Sequence, residues 1–202
     1  ALPPRRPGAG AWQQNRRLPL IPMVIRRADS LLLVVDIQQK LAPAIHDSER
    51  VVANSVRLLE GARHLGVPAF VSEQYVKGLG PSLEAIRAAA VDARFFEKTH
   101  FSCAAEPGVI DLLRAAKRPQ IILTGTEAHV CVLQTAFGLL AAGFEVYLVA
   151  DAASSRTPEN RSAAVERMRA AGIGIVTTEM VLFEWLHQAG TDDFRQLLPL
   201  IK

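Results

Sequence analysis

The chain has 202 residues, 50% hydrophobic and 21% charged, a balance that suits one soluble globular domain with a real core and excludes a disordered or fibrous chain. Its formal net charge of +3 rests on residues 1–28, which hold six arginines (Arg5, Arg6, Arg16, Arg17, Arg26, Arg27) and no acid. The remainder holds 17 Lys and Arg against 20 Asp and Glu, a mildly acidic body that gives no reason to expect a nucleic-acid partner.

No apolar run reaches the ~18–20 residues that cross a bilayer, so no membrane partner is expected. Cys103 and Cys131 are the only cysteines, too few for a disulfide scaffold, which suggests a reducing compartment. Residues 1–28 are rich in Pro, Gly and Arg and read as a disordered extension, with Met23 as the natural first residue and the domain spanning 29–202. An Arg-rich, acid-poor transit peptide is the alternative, although it would carry more Ser and a cleaner amphipathic helix. The expected location is therefore cytoplasmic, or mitochondrial if residues 1–28 are a transit peptide. LPLIPMVI is too short, and too broken by Pro22, for a secretory signal.

From Ser30 the chain alternates two kinds of segment. LLLVVD (31–36) is an apolar run ending in an acid, and 48–65 places apolar residues at 51, 52, 56, 58, 59, 62 and 65, a helix face closed by Gly66. VPAFVSE (67–73) is a second strand, followed by a loop, YVKGLGPS. RFFEKTHFS (94–102) is a short extended segment, and 107–117 is a helix with Pro107 in its first turn. IILTG (121–125) is a strand, and CVLQTAFGLLAAG (131–143) is a helix. FEVYLVAD (144–151) is a strand, 159–172 a helix and IGIVTT (173–178) a last strand. Thr178 is expected to cap a helix over 179–188, with a final helix over 192–200.

Strands apolar on both faces, alternating with helices, indicate a parallel sheet covered on both sides. Right-handed crossovers then make an α/β fold, an open doubly wound (Rossmann-like) sheet of about six strands. In such sheets the site lies beyond the carboxyl ends of the strands, which gathers the loops after Asp36, around Lys98 and carrying Cys131.

Taken singly, each of these residues has an ordinary explanation. An acid ends many strands where the chain leaves the core, a lysine among Phe95, Phe96 and Phe101 can snorkel to solvent, and a cysteine is common small filler. Together they make chemical sense. The first turn of a helix favours an anion, a neighbouring Lys98 would lower the Cys131 thiol pKa, and Asp36 can accept the thiol proton and later deliver it to a leaving amine. Backbone N–H groups in the turn can hold an oxyanion. The chemistry is acyl transfer through a covalent thioester.

LLLVVDIQ, FEKTHFS, GTEAHVCV with its helix, and AD-ASSR resemble the isochorismatase-like cysteine hydrolases, over about residues 30–202. SEQYVKGLGP and ASSR are most similar to the isochorismatase-domain-containing subgroup. The resemblance implies Asp36 as base, Lys98 as electrostatic partner and Cys131 as nucleophile. It also implies a non-proline cis peptide at Thr126–Glu127, which would turn the Glu127 N–H toward the oxyanion beside that of Cys131, and a homo-oligomer, dimer or tetramer.

Two departures from relatives matter. Nicotinamidases bind a metal through an acid and two histidines after the second strand, where this chain reads SEQYVKGLGPS, so no catalytic metal or other cofactor is expected. True isochorismatases can lack the cysteine, so its presence favours amide-type cleavage over vinyl-ether hydrolysis. Gln38, Tyr75, Phe101 and His129 are candidate walls of a small-molecule substrate pocket, with ordinary packing as the alternative, and Arg156 is expected to tie down a loop, with binding of an anionic substrate group as the alternative.

Competing functions are a regulatory binding protein of the same fold and a redox protein resolving Cys131 with Cys103. A nucleotide-dependent oxidoreductase is disfavoured, because DIQQKLAP after the first strand has no Gly-rich turn.

Overall fold

The computed structural model describes residues 24–201. Six strands form one parallel sheet in the order β3-β2-β1-β4-β5-β6: β1 Ser30–Val35, β2 Ala69–Gln74, β3 Arg94–Lys98, β4 Gln120–Thr126, β5 Glu145–Ser154 and β6 Gly174–Val176. The chain builds outward from β1 through β2 to β3, then crosses back to lay β4, β5 and β6 on the other side. The order reverses between β1 and β4, and that switch point is where an open sheet of this kind parts to form a crevice.

Alternation along the central strands divides the core in two. Leu32 and Val34 of β1 and Ile122 of β4 face α1 (Ser48–Leu65), α7 (Thr178–Leu186) and α8 (Asp192–Ile201). Leu31, Leu33, Ile121 and Leu123 face the opposite layer, with α4 (Val109–Ala115), α5 (Leu133–Ala141) and α6 (Pro158–Ala170). In α1 the buried residues Val51, Ser55, Leu58, Ala62 and Leu65 recur at helical spacing, and Gly66, at φ 67°, ends the helix.

Several boundaries differ from the sequence expectation. Residues 75–82 were expected as a loop, yet Val76–Leu79 coil as α2, and Glu84–Ala89 form an unanticipated α3, each too short for a periodic signal. β3 stops at Lys98 because the Glu106 carboxylate accepts the next two backbone N–H groups, Thr99 and His100, and turns the chain out of the sheet. Pro107 precedes α4, whose N-cap is Gly108. Thr177, not Thr178, caps α7, its hydroxyl accepting from Met180 N. Thr178 instead donates both its N–H and hydroxyl to the Asp151 carboxylate. β5 therefore does not end at Asp151 but continues, through a register shift against β4, to Ser154.

The folded unit also reaches into the segment expected to lie outside it. Ile25 is fully buried, its N–H bonds Glu184 at 2.5 Å, and the Arg26 N–H bonds Gln120 at 2.8 Å. Residues 24–28 thus pack on the domain, while the rest of the expected extension lies outside the described residues. Among the described residues no helix is long and apolar enough to cross a membrane.

Candidate active site

Asp36 is the first residue past β1 and is fully buried. Its backbone turns left-handed, at φ 51°, a conformation sparsely populated by non-glycine residues that persists where surroundings enforce it. Its N–H bonds Ser72 O at 3.2 Å, and its carbonyl accepts the Thr126 hydroxyl at 2.6 Å. Gly125 lies against the same corner at φ 123°, where an added Cβ would sit 2.0 Å from Val35 O. Only glycine lets β4 close on β1 here, and that closure brings the loops after the two strands together.

Lys98 ends the edge strand β3 and reaches across β2 to Asp36. Its Nζ lies 2.7 Å from Asp36 Oδ2, with both side chains fully buried. The ammonium also meets Gln74 Oε1 at 2.5 Å, Phe101 O at 3.1 Å and His100 O at 3.3 Å. Ser72 donates to the other Asp36 oxygen at 2.7 Å.

Cys131 lies in a π-helical turn (Ala128–Val132) that runs into α5, buried and close enough to Asp36 and Lys98 for both charges to act on its thiol. The structure therefore brings Asp36, Lys98 and Cys131 into one buried constellation. The expected effect of Lys98 on the thiol is present but outweighed. Burial, then the Asp36 charge, push the Cys131 thiol well above the usual range, with Lys98 opposing. Burial likewise raises Asp36, against the Lys98 charge and the hydrogen bonds from Lys98 and Ser72.

A family model for the isochorismatase domain matches residues 30–180. The chain belongs to the isochorismatase family. Isochorismatase domain-containing protein 2 of Danio rerio is 38% identical over 172 residues, covering 85% of this chain and 86% of that one. The solved MAR1 ribonuclease of Caenorhabditis elegans is 37% identical with a TM-score of 0.83, covering 88% of this chain and 92% of that one. Escherichia coli YcaC, described as an octameric hydrolase of unknown specificity, shares the fold at 23% identity and a TM-score of 0.83, covering 89% and 91% of the two chains.

The other expected residues of this isochorismatase domain divide by environment. The Thr126–Glu127 peptide is cis. Glu127 is buried with its carboxylate 2.6 Å from Arg156 Nε, so Arg156 ties the loop after β5 to the cysteine turn. His129 is half-buried, with Nδ1 3.0 Å from Ser155 Oγ. Tyr75 and Phe101 are exposed at 57% and 56%, flanking Lys98 in the chain paths after β2 and β3. The edge of the Tyr75 ring lies against Gly78, where any Cβ would come within 2.4 Å of it.

Gln38 is a correction. It is fully buried, its Nε2 donates to Gln74 O and Gly80 O, and its Oε1 accepts from Gln74 N. With both ends engaged by backbone it is a clamp rather than a pocket wall. Ser72, Gln74 and Glu106 went unrecognised in the sequence. Each acts through a contact across the sheet or loop, and their spacing carries no motif.

A metal does not fit the place where nicotinamidases hold one. At the end of β2 and just past it this chain offers Glu73, Gln74 and Tyr75, with Glu73 accepting Ser82 N at 2.7 Å and facing Arg87 at 3.6 Å. Among the described residues no three His, Cys, Asp or Glu side chains gather as a ligand set. A cavity of about 470 Å³ lies away from this chemistry, at the amino ends of β2 and β3, lined by Arg63, Pro68, Ala93, Asp92 and Arg118. It contains no nucleophile, so the buried Cys131 thiol beside the Asp36–Lys98 pair, not cavity size, marks the candidate site.

Proposed function

We propose that the protein is a metal-independent cysteine hydrolase that cleaves an amide-type C–N bond of a small molecule through a thioester on Cys131. The observation that carries this reading is the fully buried Asp36–Lys98 ion pair, 2.7 Å apart at the switch point of the sheet, with the buried cysteine turn anchored beside it through the Thr126 hydroxyl on Asp36 O. Family membership supports a hydrolase, and the donor set supports one that works without a metal.

In acylation the Sγ–H proton passes to an Asp36 oxygen as Sγ attacks the carbonyl carbon. The carbonyl π electrons move to oxygen, held by the backbone N–H groups of Glu127 and Cys131. The tetrahedral intermediate collapses, the C–N bond breaks, and the Asp36 proton goes to the departing nitrogen. Water then attacks the thioester and gives a proton to Asp36, which returns it to the leaving thiolate as the acid departs. The raised proton affinity of Asp36 suits it to this shuttle better than a surface carboxylate.

Hydrolysis of an amide, carbamoyl and ester library by the wild type, Cys131→Ala and Asp36→Asn tests the reading. Turnover abolished by both substitutions supports it. Turnover that survives Cys131→Ala overturns it and points to vinyl-ether or other acid chemistry, and absence of turnover with every substrate favours the regulatory binding protein. Since the nematode relative is named a ribonuclease, RNA belongs in the same screen. Tyr75, Phe101 and His129 are proposed as substrate contacts. A homo-oligomer, dimer or tetramer, is proposed as well, supported by the octameric description of YcaC and tested by light scattering.

A further inference from the structure

We propose that Gln74, together with the carbonyls of His100 and Phe101, holds the Lys98 ammonium in a neutral cage, so that Asp36 can take up the Cys131 proton without stranding a buried cation. The inference rests on the hydrolase reading, in which the Asp36 carboxylate becomes a neutral acid once per acylation.

The difficulty is electrostatic. Asp36 and Lys98 are both fully buried, 2.7 Å apart. When the S–H bond breaks and an O–H bond forms on Asp36, the carboxylate charge disappears from beside Lys98 and reappears on sulfur. A buried ammonium whose partner is removed is strongly disfavoured unless other acceptors replace it. The ammonium has three N–H donors. Gln74 Oε1 at 2.5 Å, Phe101 O at 3.1 Å and His100 O at 3.3 Å provide as many acceptors besides Asp36, and none of them loses its dipole when a proton moves.

The cage is itself fixed. Gln74 Nε2 donates to Thr99 O at 2.8 Å, and Gln74 N donates to Gln38 Oε1 at 2.8 Å. A flipped amide would set its NH2 against the ammonium and its oxygen against a carbonyl, so the donor and acceptor ends are assigned by their neighbours. The two loop carbonyls are held from outside by Glu106, whose carboxylate accepts Thr99 N at 2.9 Å and His100 N at 3.2 Å, with His100 Nδ1 at 2.9 Å. The titratable groups around Lys98 are Asp36 after β1, Cys131 in the cysteine turn, Cys103 on the loop that follows β3, and the outward-facing His100–Glu106 pair. Gln74 is thus a positioning residue, acting on the reaction through Lys98.

Two measurements on the full chain test this. In the first, Asp36→Asn mimics the neutral acid, and the Lys98 side chain is followed by NMR with labelled lysine. The cage predicts that Lys98 keeps its ammonium signals at about pH 8 in Asp36→Asn and loses them when Gln74→Met is added. Lys98 found neutral in Asp36→Asn alone overturns the proposal, and this arm decides even if Gln74→Met does not fold. In the second, iodoacetamide alkylation of Cys131 is quantified by peptide mass spectrometry. Gln74→Met is expected to slow it by about tenfold, equivalent to one pKa unit. In a Lys98→Met background the same change should matter by less than about twofold, because coupled residues are not additive. An unchanged rate in Gln74→Met, or an equal loss without Lys98, overturns the proposal. If Asp36→Asn leaves alkylation unaffected, Asp36 carries no proton and both readings fall; if Asp36→Asn slows it and Gln74→Met does not, only the cage falls.

Discussion

Lys98 and Asp36 form a fully buried ion pair, 2.7 Å apart, although they stand at the ends of strands separated by β2. The pair is a condition of the fold as well as of the chemistry. Removing Lys98 leaves Asp36 as an uncompensated buried charge, which destabilises by about 3–5 kcal/mol. Lys98→Met is therefore expected to lower the urea midpoint far more than the Asp36→Asn/Lys98→Met double variant, in which neither charge remains. Equal loss in the two would mean that the pair is not electrostatically coupled.

Gly125→Ala should damage fold and site together. The new methyl would lie 2.0 Å from Val35 O at a backbone φ of 123°, so β4 must move away from β1. Circular dichroism melts and Cys131 alkylation are the readouts. The expected result is a lower melting temperature together with altered alkylation, whereas a wild-type melt would show that the corner is less tight than described.

The buried thiols make stability depend on alkaline pH. Burial pushes Cys103 from 9.0 up to about 11, with the Asp36 charge adding to it. The unfolded chain gives up that proton first, so the contribution is fully present below about pH 9 and is lost as pH rises toward 11. Cys131 shifts in the same direction for the same leading cause. Urea denaturation across this range should show falling stability in the wild type and a shallower fall in Cys103→Ala. A flat profile would contradict the burial of these thiols.

The sheet and the three central residues were legible because each rests on a local pattern. LLLVVD and IILTG are apolar runs bounded by polar corners, and one topology places Asp36, Lys98 and Cys131 at the same edge. What surrounds them was not legible. Gln38 lies two residues from Asp36 and read as a pocket wall, but the alternation of the chain cannot show that Gly80 and Gln74 come back to consume its amide. Gln74 carries no motif and matters only because parallel register sets it beside Lys98. The expected lowering of the thiol failed for a related reason. Sequence shows which charges are near, whereas burial, the larger effect here, belongs to the packed core.

Glu106 should hold the loop that feeds carbonyls to Lys98. Hydrogen bonds from the His100 ring and the Thr99 N–H hold its carboxyl far down, at about 2. Its contribution is thus present above the ordinary carboxyl value of 4.5 and is lost as pH falls from there toward 2. Hydrogen exchange should show faster exchange at Thr99 and His100 in Glu106→Gln than in the wild type at neutral pH. Unchanged protection would mean that the loop is held by other contacts.

The central claim is that Cys131 is a nucleophile served by Asp36. It is tested most directly by incubating the protein with p-nitrophenyl acetate and mapping the acetyl group by mass spectrometry. The account predicts a transient acetyl thioester on Cys131, formed more slowly in Asp36→Asn and absent in Cys131→Ala. Ester hydrolysis that continues in Cys131→Ala, with no adduct on Cys131 in the wild type, would contradict it.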